Sequence, residues 1–202
     1  MSSHYPLIRR AVASLIPLAF AGQAFGACVP TQGPLFNLPA GATVYCDGAT
    51  SGQTMASANP DVQVAVNSGT LSSSLVNLAG SGSQFVVRDG ASISDVSALV
   101  FGATGSIVFQ EGSTSAVTPG AVVLGGVGTP TQGTIDVQGN VSALSSPSGL
   151  FLLTARDGSQ SVNLQGRLNT SSGLFVSTGD GDDSINLYEG SELLGGASLS
   201  RL

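Results

Sequence analysis

The chain has 202 residues, among them 28 glycines, two cysteines and one histidine, with no lysine or tryptophan and a net charge of −6. Six arginines against twelve carboxylates cannot neutralise a phosphate backbone, which excludes a nucleic-acid binder. A hydrophobic share of 42% with only 9% charged residues excludes a disordered acidic tail, and the length allows one domain with a real core.

The N-terminus has the layout of a secretory signal peptide. Arg9 and Arg10 form a short positive region, and Ala11 to Ala21 is apolar apart from the bend at Pro17. Small residues follow at Ala24, Gly26 and Ala27, so cleavage is expected between Ala24 and Cys28. The apolar stretch is too short to serve as a permanent span. Phe25-Gly26-Ala27-Cys28 is a poor lipobox, because Phe stands where Leu is wanted, and the residues after Arg9-Arg10 do not fit twin-arginine export. Residues 1–27 are therefore expected to be removed by ordinary export, taking His4, the sole histidine, with them.

Cys28 and Cys46 follow at once, around a segment rich in Pro and Gly. In an oxidising compartment a disulfide is their default state, and it would staple a lead-in over residues 28–61. Two cysteines without histidines cannot fill a zinc site.

From residue 62 to 202 the chain repeats. Apolar residues alternate at Val62-Val64-Val66, Phe85-Val87, Ile107-Phe109, Ile135-Val137, Val162-Leu164 and Ile185-Leu187. Period two predicts half-buried strands. Each run ends in one or two polar residues and a glycine: Gly69, Gly90, Gly112, Gly139, Gly166 and Gly190, spaced 21, 22, 27, 27 and 24 residues apart. A repeat of that length without helical periodicity predicts a right-handed parallel β-helix of about six coils, with glycine corners at positive φ. The competing all-β fold is an antiparallel sandwich, but hairpin signals are few.

Signal peptide, cysteine pair, the lead-in ending Val44-Tyr45-Cys46-Asp47-Gly48 and glycine-phased coils together resemble the N-terminal passenger region of a bacterial autotransporter. The stretch Thr178-Gly179-Asp180-Gly181-Asp182-Asp183-Ser184-Ile185-Asn186-Leu187 is similar to a recurrent coil of such passengers. The resemblance implies a secreted β-helical rod, displayed at the outer membrane or cell surface through a C-terminal translocator barrel. No barrel sequence precedes the final Arg201-Leu202, and Leu194 to Ser198 looks like a coil that does not close. A truncated or split member is therefore expected, which without its translocator would be periplasmic or secreted. A host or surface ligand is the partner such a rod would meet; no cofactor, nucleic acid or permanent membrane span is expected of the mature chain.

Chemistry is sparse. Asp180, Asp182 and Asp183 fall on part of a glycine-aspartate calcium nonapeptide, with Gly179, Gly181 and Ile185 in matching places. That motif binds between successive copies, and a single copy reads more simply as a solvated turn. Polysaccharide-cleaving β-helices use carboxylates grouped with basic residues. Arg88, Arg156, Arg167 and Arg201 are each remote in sequence from the acidic run, and no histidine is left to activate a serine. No catalytic residue is expected, and a display or adhesin-like rod is favoured over a polysaccharide-active enzyme or a calcium-stabilised repeat.

Overall fold

A computed structural model describes residues 26–126, 131–145, 150–172 and 174–195, with the backbone of 198–201. Of the expected signal peptide only Gly26 and Ala27 fall among these; the rest lies outside the described residues. All regular structure among them is β-strand.

Strand β1 (Ala27–Pro30) precedes a first coil of β2 (Thr43–Asp47), β3 (Ala49–Ser51) and β4 (Thr54–Ser57). The second coil has β5 (Gln63–Val66) and β6 (Thr70–Leu78), and the third β7 (Ser83–Val87) and β8 (Ser92–Val100). The fourth has β9 (Thr104–Phe109), β10 (Thr114–Val117) and β11 (Val122–Leu124). The fifth has β12 (Thr131–Val137), β13 (Asn140–Ala143) and β14 (Leu153–Ala155). The sixth holds β15 (Gly158–Leu164), β16 (Arg167–Asn169) and β17 (Leu174–Thr178). The last described rung is β18 (Ser184–Leu187), β19 (Glu192–Leu194) and β20 (Ser198–Arg201).

Strands of successive coils pair in parallel, giving a β-solenoid of about six turns with three faces. The first face runs β2-β5-β7-β9-β12-β15-β18. Thr43, Gln63, Gln84, Ser106, Thr134, Ser161 and Ser184 share one register position there, so a turn takes between 20 and 28 residues. The second and third faces belong to one sheet, since β6 and β8 run continuously through the corner between them. They bend at Ser73 and Asp95, whose φ angles are 43° and 56°. Parallel pairing on all three faces rules out the antiparallel sandwich. Stacking also begins at Thr43, well before residue 62, where the alternation becomes obvious.

Alternation explains the core. Val44, Val64, Phe85, Ile107, Ile135 and Val162 form one inward column on the first face, and Cys46, Val66, Val87, Phe109, Val137 and Leu164 the next; all are buried. Each such side chain contributes about 1.5–3 kcal/mol by leaving water. At the far end the columns open: Ile185 is half-buried and Leu187 exposed.

The near end is closed. β1 pairs antiparallel with β2, with Cys28 opposite Cys46, and the two form a disulfide. The lead-in then crosses to the third face, where Leu38 is fully buried and Ser57 Oγ and Asn59 Nδ2 donate to its carbonyl at 2.7 and 2.8 Å. Ala56 N–H donates to Leu35 O at 2.8 Å. The strand edge that a solenoid would otherwise expose is thus occupied on two faces.

Candidate functional site

The corner between the first and second faces carries the repeated glycine turns. Gly69, Gly90, Gly112 and Gly190 have φ between 70° and 88°, as does Gly48 (70°) in the first coil, which the repeat reading passes over. Gly139 and Gly166 do not share this conformation. Their turns are shorter: two residues lie between Val137 and Asn140, against four between Phe109 and Thr114, which occupy the same register positions. A Cβ at Gly139 or Gly166 would strike the backbone of the coil below, so closeness and not handedness requires glycine there.

Asp89 and Glu111 sit at this corner in adjacent coils, about 4.8 Å apart along the stack by the ordinary strand spacing. With Gln110, Gly112 and Gln138 they line a shallow hollow of about 490 Å³. A neighbouring hollow of about 220 Å³ shares Glu111 and Gln138 and reaches Gln165. This is a strip of exposed carboxylates and amides without an arginine. It can hydrogen-bond a hydroxyl-rich ligand, but it holds no buried acid and encloses no reacting centre.

Much of the rest of the outer surface is bonded to itself. Asn186 Nδ2 donates to Asn163 Oδ1 at 2.9 Å, and Asn163 Nδ2 to Asp136 Oδ1 at 2.6 Å. Ser161 and Ser184 hydroxyls are 2.9 Å apart, as Thr70 and Ser92 are at 2.7 Å, and Gln63 Nε2 donates to Gln84 Oε1 at 3.1 Å. Arg167 and Glu192, one rung apart, form an ion pair at 2.6 Å. Their 25-residue separation hides the pair from a linear reading. Half exposed as they are, the pair adds at most about 1 kcal/mol.

The acidic run divides. Asp180 and Asp182 are exposed in a corner loop, whereas Asp183 turns inward and is 8% exposed. Its Oδ1 accepts from Gln160 N–H at 2.9 Å. Gln160 and Thr178 are also buried at this corner and are not candidates in the linear reading. Parity would have found all three: Asp183 lies two residues before Ile185, Gln160 two before Val162, and Thr178 two after Val176, each of which faces inward. Among the described residues no three His, Cys, Asp or Glu side chains converge to hold a metal. No helix among them is long and apolar enough to cross a membrane.

Comparison with protein-family models, with curated proteins and with solved structures finds no match.

Proposed function

We propose that this chain is an exported, passenger-type β-solenoid whose task is structural: a rod that presents its outer ladders at a bacterial surface. The carrying observation is the stack of six turns, closed at its N-terminal end by a disulfide-held cap and bonded along its outer faces by side-chain ladders. Such a surface is preorganised and extended, which suits contact with a large partner rather than conversion of a small one. The cap adds support, because a structural disulfide persists in an oxidising compartment. The Sec-type leader read in residues 1–27 supplies the route, and the resemblance to autotransporter passengers supplies the destination. Catalysis on a polysaccharide takes second place: the Asp89–Glu111 strip is its only foothold on the described surface, and neither carboxylate is buried.

The full coding region, expressed with its own leader in a bacterium that has an outer membrane, tests this reading. An antibody against the folded chain should label intact cells, external protease should remove the label, and Cys28 and Cys46 should be oxidised. Reduced thiols in the cytoplasmic fraction would refute export. Labelling only after the outer membrane is opened would refute display.

A further inference from the structure

At the corner between the third and first faces, the sixth coil and the start of the last described rung leave three enclosed oxygens unsatisfied. Gln160 Oε1, Thr178 Oγ1 and Asp183 Oδ2 have no hydrogen-bond partner, on residues that are 2%, 0% and 8% exposed. Burying such an acceptor alone is costly, and more so when it carries charge. The Gln160 amide is held in one orientation. Its Nε2 donates to Thr131 O and Asp157 O, both at 3.0 Å, so turning the amide would set its oxygen against two carbonyls. Asp183 is held through Oδ1 by the Gln160 N–H, which leaves Oδ2 as the free end.

The two corner loops press together here. A Cβ on Gly179 would lie 2.7 Å from Arg156 C, one on Gly181 would strike Gly158 O, and Gly158 N–H donates to Asp180 O at 2.9 Å. These loops carry Asp157, Asp180 and Asp182 with Arg156, and β20 adds Arg201 in register with Thr178, so carboxylates outnumber cations at this corner.

We propose that this corner binds one calcium ion, with Asp183 Oδ2, Gln160 Oε1 and Thr178 Oγ1 as side-chain ligands. The donor set is all oxygen and mixes carboxylate, amide and hydroxyl, which suits the six to eight ligands and loose geometry of calcium. Magnesium demands a near-regular octahedron, and zinc prefers nitrogen and sulfur. A water molecule could meet the hydrogen-bonding needs but would leave the Asp183 charge uncompensated. The exposed Asp180 and Asp182 act here only through their field. The site is an internal clamp between two coils and depends on the fold alone, whatever the rod displays.

Calcium chloride titrated calorimetrically into the chelator-treated, exported chain should bind at one ion per chain. At a concentration 100 times the Kd the thermal midpoint should rise by about 5–10 °C. Asp183→Asn should abolish both effects. Thr178→Val, which keeps the side-chain shape, should weaken binding at least tenfold even if Asp183→Asn fails to fold, and Asp182→Asn should retain binding. Absence of heat and of a midpoint shift in the wild-type chain overturns the proposal, as does an equal shift with sodium. Binding lost in Asp182→Asn but kept in Thr178→Val would place the ion on the surface and equally overturn it. β20 places Arg201 in register with Thr178. A midpoint that ignores calcium but falls in Arg201→Gln would make arginine the counter-charge and overturn the calcium site.

Discussion

Gly90 turns with φ 70° and would offer an added Cβ open space, while Gly139 has no left-handed φ but would set its Cβ 2.6 Å from Gln110 O and 2.7 Å from Ser113 O. The two residues hold the same place in the repeat under different constraints, and substitution should separate them. Gly90→Ala is expected to cost about 1–2 kcal/mol, the penalty for a left-handed L-residue, and Gly90→Asn less, because Asn tolerates that conformation. Gly139→Ala should cost more, and Gly139→Asn should recover nothing, since the obstacle is the backbone of the rung beneath. Urea unfolding of the four variants measures this; equal rescue by Asn at both positions would refute it. The glycine phase was legible in the sequence, but the distinction was not, because it depends on a turn being two residues shorter. Asp183 was only half legible: its neighbour's opposite orientation follows from alternation, whereas the absence of a partner for Oδ2 depends on Thr178 and Gln160, which arrive from other strands.

The first face was the readable element, because its strands carry large apolar residues at two inward positions spaced by two, such as Phe85 and Val87 or Ile107 and Phe109. The second face hides in the sequence. Its inward column runs Thr50, Leu71, Ile93, Ser115, Val141 and Leu168, and the flanking outward positions are mostly small or polar residues, so a segment such as Thr114-Ser115-Ala116 has no apolar contrast at all. β2, β3 and β4 also escape notice, since strands of three to five residues beside prolines look like loop. What the cysteines do at this scale is sharper than a staple: they join the antiparallel β1 to the head of an inward column, so the cap is fixed to the core itself. Cys28→Ala combined with Cys46→Ala should lower stability by about 3 kcal/mol, as expected for a loop of this size. Denaturant melts of oxidised wild type and the double variant provide the comparison; a loss under about 1 kcal/mol would mean that Leu38 and the strand pairing hold the cap unaided.

Across the whole molecule, the inward columns of the first face stay buried from Val44 to Leu164 and open only in the last described rung. Phe85 and Phe109 are completely enclosed in the middle coils, while Leu187 is 52% exposed in the last described rung. In a stack where each coil touches only its neighbours, opening should start where burial is poorest. Amide hydrogen exchange read by mass spectrometry should show β7, β9 and β12 protected longest and β18 and β19 exchanging first, with β2 protected well above β18. Earlier exchange in β2 than in β18 would contradict the role given to the cap. The unequal turns carry a separate consequence. Leu124 and Ala155 remain paired, as do Thr131 and Gly158, although the fourth and fifth coils spend up to eight more residues per turn than the first. The longer connections between Leu124 and Thr131 and between Ala143 and Leu153 are therefore carried without shifting the strands on either side out of register. Each of these two connections is thereby a graft point, where inserted sequence should leave the pairing of the flanking strands unchanged.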